Sequence, residues 1–307
     1  MRIAMVGAGG VGGYFGGRLA QAGHDVWLVA RGRHLAALRE GGLRVDSVHG
    51  DFALPAVQAT DDTGEIGAVD AVIVTVKNWQ LPGVVEAIRP LLAEHTAVIP
   101  LLNGVEAVDV LGEALGHRHV LGGLCRIAAR VESPGHIVHD AIDPTIVFGE
   151  MDDRRSERAL GILEAFSKGG FVAELASDIQ VALWEKFMLI ATWSGVGAVT
   201  RAPVGVWRSL QGSRGIAEQC LREILAIARA RGVAVADERV EKTLAFIDSV
   251  GEGALASMQR DIMEGRPSEL ESQNGAVVRL GAEAGVPTPV NHFLYHVLLP
   301  QERAARG

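Results

Sequence analysis

Arg2-Ile3-Ala4-Met5-Val6-Gly7-Ala8-Gly9-Gly10-Val11-Gly12 is the stretch on which the reading of this chain turns. Residues 2–6 are an apolar run of strand length. A G-x-G-x-x-G pattern follows at once, and a helical pattern starts near Gly10. The glycine pattern alone is a weak signal; between a strand and a helix it is the fingerprint of a dinucleotide-binding turn. Gly7 permits the tight turn, Gly9 lets backbone approach a pyrophosphate, and Gly12 lets the helix pack on the strand. The first helical N–H groups then face the phosphates. Gly7, Ala8, Gly9, Gly10, Val11 and Gly12 are therefore the candidate phosphate-binding residues; the competing reading is a glycine-rich turn with no ligand.

Working outward, apolar strands alternate with helical patterns through residue 125. Asp25–Ala30 reads as a strand, with an amphipathic stretch from His34 to Glu40. Ala71–Val76 and Ala97–Leu102 read as strands, followed by helices over about 81–92 and 105–115. Such alternation predicts a parallel sheet covered on both faces. Leu43–Val57 reads as short strands turning at Gly50. Residues 120–149 read as later strands broken at Ser133-Pro134-Gly135. Past about Ser177 the period becomes helical: Val181–Val199, then Gly215–Arg231 with Ile216, Cys220, Ile224 and Ile227 on one face. Further helices fit 238–247, 254–264, 269–284 and 290–298. The fold class is thus α/β: a parallel-sheet domain over residues 1–175, then an all-helical domain over residues 176–307.

Composition narrows the partners. With 307 residues and 48% hydrophobic content the chain can build two cored domains. A net charge of −8 argues against nucleic acid or an anionic membrane as partner. The 14 uncharged residues Phe187–Thr200 fall short of the ~20 that a membrane-spanning helix needs, so this reads as a core helix. Two cysteines, Cys125 and Cys220, make no disulfide framework, and no secretory signal is visible, so a cytoplasmic setting is expected. His292 and His296, four apart, lack a third ligand, so no metal site is expected.

Other residues carry candidate chemistry. At the end of the second strand an NAD site usually has Asp or Glu for the ribose 2′-hydroxyl. This chain has Arg31 there, with Arg33 and His34 behind it; a guanidinium suits a 2′-phosphate and points to NADP. Lys77 and Asn103 follow later strands, where ligands of open parallel sheets bind, although a solvated lysine and a plain Asn-Gly turn would read the same. Lys186 stands nearly alone in the apolar helix. It is either a snorkelling side chain or a general acid able to protonate a carbonyl oxygen. Ser268-x-x-Glu271 reads as a capping box, while Ser257 and Glu269 are also placed to line a cleft.

Taken together these segments resemble the ketopantoate reductase (2-dehydropantoate 2-reductase) family across nearly the whole chain. The matching stretches are Gly7–Gly12, residues 74–80, Asn103-Gly104, Trp184-Glu185-Lys186-Phe187, Ser257–Asp261, and Gly265–Glu269 with Asn274-Gly275. The resemblance implies a Rossmann-type domain joined to a helical one. It implies NADPH at Gly7–Gly12, Arg31, Lys77, Asn103, Ala128 and Glu269, with Lys186 as proton donor and Asn103 and Ser257 as substrate contacts. The family carries asparagines four, eight and eighteen residues after that lysine; this chain has Ile190, Ser194 and Val204. Lys186, Ile190 and Ser194 share one helix face, so Ile190 and Ser194 are candidate substrate contacts of altered polarity. The expected reaction is NADPH-dependent reduction of a 2-oxo acid, with 2-dehydropantoate to pantoate, a step of pantothenate biosynthesis, in the lead. A paralogous reductase of a less polar carbonyl compound and an NADP-sensing regulator without turnover are the alternatives. Oligomeric state stays open, a homodimer among the options.

Overall fold

The computed structural model describes all 307 residues. Contacts divide them into two units: residues 1–102 with 107–179, and residues 103–106 with 180–307.

The first unit contains strands β1 (Arg2–Val6), β2 (Asp25–Val29), β3 (Leu43–Ser47), β4 (Phe52–Leu54), β5 (Gln58–Thr60), β6 (Ala71–Val74), β7 (Ala97–Pro100), β8 (Gly122–Ser133), β9 (His136–Gly149) and β10 (Val172–Leu175). Its helices are α1 (Gly10–Gln21), α2 (Gly32–Gly41), α3 (Leu81–Ile88), α4 (Ala107–Leu115) and α5 (Glu157–Ser167). A parallel sheet runs in the order β5-β2-β1-β6-β7. β6 and β7 are buried at every residue, as strands covered on both faces must be. Tyr14, Phe15 and Leu19 of α1 join the same core as Ile3 and Met5 of β1.

Residues 120–149 are strands, as expected, but they do not extend this sheet. Apart from one bridge, Val98 to Val120, they build a second sheet of order β10-β9-β3-β4, with β8 antiparallel to β9. The Ser133-Pro134-Gly135 break is the reason. A turn this short returns the chain antiparallel, whereas a parallel neighbour needs a crossover of a dozen residues or more. The turn at Gly50 connects β3 and β4 of this sheet. The pair α5 and β10 follows, with Ser156 capping α5 by accepting from the Ala159 N–H at 3.2 Å.

The second unit is helical: α6 (Ile179–Thr200), α7 (Val204–Arg208), α8 (Gln211–Ala230), α9 (Arg239–Ser249), α10 (Ser257–Met263), α11 (Asn274–Ala284) and α12 (Pro289–Arg306). Phe187, Met188, Ala191, Trp207, Cys220, Ile224 and Ile227 share its main core. Ile216 is exposed at 42%, so the buried stripe of α8 starts one residue later, at Ala217. No helix is long and apolar enough to cross a membrane.

Two local expectations fail here together. The helix expected from residue 269 starts at Asn274, and the Ser268–Glu271 capping box does not form. The Ser268 hydroxyl accepts from the Leu270 N–H and donates to buried Glu302, while Glu271 accepts from Tyr295 and pairs with Arg279. Glu302 also binds Arg306, so the same ties carry α12 through Pro300 to its last turn. Long-range partners outcompete the local cap.

Candidate functional site

In the first unit, pairing registers put Val6, Val29, Val74 and Pro100 in one row, so β1, β2, β6 and β7 end together. The expected strands ending at Val76 and Leu102 thus stop two residues early, and the residues after each end are freed to form loops at this edge.

The glycine loop leaves β1 here. The Gly7 and Ala8 N–H groups both donate to the Val29 carbonyl, at 3.1 and 3.0 Å, binding the loop to the end of β2. The Gly7 carbonyl accepts from the Gly9 N–H at 2.8 Å and from the Thr75 hydroxyl at 2.7 Å. A Cβ on Gly12 would run into that carbonyl and that hydroxyl; a Cβ on Gly9 would meet nothing within 4 Å. The start of α1 has no side-chain cap and no acidic residue in its first turn. Thus the backbone N–H groups of residues 10–12 and the space above Gly9 fit a bound phosphate. The backbone of Ala129 lies against Gly10, which brings Ala128 on β8 beside the loop.

Arg31 follows β2 and is the N-cap residue of α2. It is exposed, and its side chain forms no hydrogen bond or ion pair within the chain. His34, one turn on, accepts from the Gly135 N–H at 3.1 Å. Burial lowers the His34 pKa, with the Ala8 carbonyl pulling the other way. Lys77 is half-buried after β6, its ammonium 5.7 Å from the Trp79 ring centre. Gly7–Gly12, Arg31, Lys77 and Ala128 are all in this unit. Thr75, the clamp on the Gly7 carbonyl, was missed in the sequence because threonine in a strand pattern reads as β propensity alone.

The second unit holds the remaining candidates. Asn103 donates to Glu269 at 2.9 Å, and Glu269 is buried. Gly104 has φ +94°, and a Cβ there would sit 2.8 Å from the Ser272 carbonyl, so Asn103 is seated by a residue that has to be glycine. Lys186 and Ile190 are half-buried on α6, and Ser194 is buried. At 1.5 Å per residue the three span about 12 Å of one face. Val204 lies in the core at the start of α7 and offers no site for the family's third asparagine. Glu185 is engaged by Arg239 at 2.6 Å.

Ser257 is exposed at the start of α10. Buried Gln259 donates to the Ala202 carbonyl at 2.9 Å, and its amide lies against Gly197 of α6. Gly197, eleven residues after Lys186, returns to the same helix face. Met258 and Ile262 of α10 pack with Ala198. These contacts hold α10, and Ser257 with it, at the far end of the face that carries Lys186.

The profile described as "Ketopantoate reductase PanE/ApbA" matches residues 3–153, and "Ketopantoate reductase PanE/ApbA C terminal" matches residues 178–302. An "Uncharacterized oxidoreductase YkpB" of Bacillus subtilis is 31% identical, over 96% of this chain and 97% of its own. A 2-dehydropantoate 2-reductase of Mesorhizobium japonicum is 32% identical, over 94% of each chain. The crystal structure of 2-dehydropantoate 2-reductase from Geobacter metallireducens superposes with a TM-score of 0.91 at 32% identity, covering 98% of this chain and 99% of that one. With both profiles matched in order and the helical half aligned as fully as the sheet, the chain belongs to the ketopantoate reductase family.

Proposed function

We propose that this oxidoreductase reduces a 2-oxo acid with NADPH, and that 2-dehydropantoate, giving pantoate, is its leading substrate. The glycine loop and Arg31 of the first unit are assigned the dinucleotide's phosphates, and Lys186 and Ser257 of the second the substrate. The observation that carries the reading is the row of strand ends bearing an uncapped glycine loop beside the unpartnered Arg31. The N–H groups of residues 10–12 suit a pyrophosphate, and Arg31 with the N-terminus of α2 suits a 2′-phosphate. Lys77, Asn103, Ala128 and Glu269 complete the cofactor assignment. Two buried free thiols, Cys125 and Cys220, suit a cytoplasmic location.

The bound cofactor supplies the hydride. Lys186 then gives a proton from its ammonium to the developing alkoxide and is reprotonated from solvent. Asn103 and Ser257 orient the acid; the bond from Asn103 to Glu269 fixes the amide, directing its remaining polar atoms. The test is Lys186→Ala, which should lower kcat roughly 10²–10⁴-fold with NADPH binding retained. Near-normal turnover in a folded variant would leave Lys186 as a snorkelling side chain and remove the assignment.

Ile190 favours a second reading. An isoleucine where relatives have an asparagine suits a substrate with an alkyl tail, at about 0.8 kcal/mol per buried CH₂.

A further inference from the structure

The row of strand ends gives the assigned cofactor a direction. Arg31 marks its adenosine end beside β2, and the glycine loop on β1 takes the pyrophosphate, so the nicotinamide half extends past β6 and β7. One strand of the second sheet runs beside that space. Early in β8, Gly123 lies against Pro100 and Leu101 at the end of β7, and the Cys125 thiol donates to the Leu101 carbonyl at 3.7 Å. Later in β8, the Ala129 backbone lies against Gly10. The residues between them, Arg126, Ile127 and Ala128, therefore lead from the end of β7 to the glycine loop.

Ile127 and Ala129 pack on the core, so strand alternation turns Arg126, Ala128 and Arg130 the other way. Pairing with β9 shifts register on both sides of Ala128, an irregularity of the kind that re-aims side chains next to active sites. Charge separates the two arginines of this face. Arg130 is engaged by Glu132 at 3.1 Å and by Asp140. Arg126 is exposed, and its side chain forms no hydrogen bond or ion pair within the chain. Opposite it on β9 stands no acid but Thr145, whose hydroxyl donates to the Asp143 carbonyl. A free guanidinium presents a planar fork of donors that fits a carboxylate. Hydride leaves from the nicotinamide ring, so the compound being reduced has to come to that end of the cofactor. A 2-oxo acid brings its carboxylate there, on the carbon next to the carbonyl that accepts the hydride.

We propose that Arg126 is a specificity-determining residue that binds the carboxylate of the 2-oxo acid. The inference rests on the 2-oxo acid reductase reading above. Within that reading it makes the free acid, rather than an uncharged ester of it, the form the enzyme selects.

The experiment measures kcat/KM with NADPH for 2-dehydropantoate and for its lactone, the internal ester, which keeps the carbonyl and loses the carboxylate. Both compounds are assayed with the wild type, Arg126→Gln and Arg126→Lys, and NADPH affinity is measured by fluorescence titration. The ratio of the two kcat/KM values is internal to each preparation. The wild type should prefer the acid. Arg126→Gln should lose roughly 10- to 150-fold of that preference, mainly through KM for the acid, with NADPH affinity unchanged. Arg126→Lys should keep part of it, because lysine retains the charge without the fork. An unchanged ratio in Arg126→Gln, a loss that falls on NADPH affinity instead, or a wild type that prefers the lactone would overturn the role of Arg126 and leave the reductase reading standing. No NADPH-dependent reduction of either compound by the wild type would overturn both.

Discussion

Two substitutions in the glycine loop separate folding from cofactor binding: Gly12→Ala and Gly9→Ala. At Gly12 a Cβ would approach the Gly7 carbonyl oxygen far more closely than the 3.0 Å below which real Cβ atoms are essentially never found. That oxygen cannot retreat without losing bonds from the Gly9 N–H and the Thr75 hydroxyl. Two such bonds contribute about 1–3 kcal/mol together, the same range as inserting a methyl group into a packed core. For a unit of this size that is a fall of about 2–12 °C in Tm. At Gly9 the backbone has φ −73°, which alanine accepts, and the added methyl meets open space. Folding should be unharmed or improved by about 0.4–1 kcal/mol. The methyl would, however, occupy the place assigned to the pyrophosphate. Loss of a charge-assisted contact there costs about 1.5–3 kcal/mol, a roughly 10- to 150-fold rise in Kd. Thermal unfolding and fluorescence titration with NADPH on the two variants make the test. A Gly9→Ala variant that binds NADPH like the wild type would refute the phosphate cradle, and a Gly12→Ala variant with unchanged Tm would refute the packing argument.

Three shorter predictions accompany it. Arg31→Ala should weaken NADPH by about 1.5–3 kcal/mol and leave NADH nearly unchanged; equal losses in competitive titrations would remove the 2′-phosphate assignment. Burial keeps His34 neutral in the folded chain, so the unfolded chain takes up the extra proton: this contribution to stability is full above the ordinary histidine value of 6.5 and declines as pH falls below it. Melting curves from pH 8 to pH 5 should therefore fall less steeply for His34→Gln, and parallel curves would contradict the idea. Glu302→Gln should destabilise the helical unit, because the Ser268 and Arg306 bonds converge on a buried carboxylate; a loss of about 3–5 kcal/mol in denaturant titrations is expected, and a change under 1 kcal/mol would show that Arg306 is solvated in its place.

Much of the fold was legible locally. Strand–helix alternation identified the parallel sheet, and the run of buried valines and isoleucines in β6 and β7 could be read because both faces of those strands are covered. The glycine loop could be read because its pattern is local, glycines set between a strand and a helix, although the atoms that crowd Gly7, Gly10 and Gly12 include Thr75, Val76 and Ala129 from distant segments. Lys186 stood out by contrast, a charge in an apolar run. The change from strand to helical periods placed a boundary near residues 170–178; the contacts group residues 107–179 with the sheet unit and put residues 103–106 with the helical one, which no change of period marks.

Other features were decided only when distant segments met. The second sheet joins β3, β4, β8, β9 and β10, whose pairing depends on partners up to a hundred residues away that no periodicity specifies. The capping box at Ser268 was sound as a local pattern and lost to Glu302, 34 residues on, because a buried carboxylate needs its donors more than a helix end needs a cap. With α11 starting at Asn274, Gln273 falls in the turn before it and its amide is buried. Sequence determined which segments are strands and helices, because that choice rests on the period of a residue's near neighbours. Tertiary structure decided which polar groups have partners, because burial and hydrogen bonding are properties of whatever packs against them.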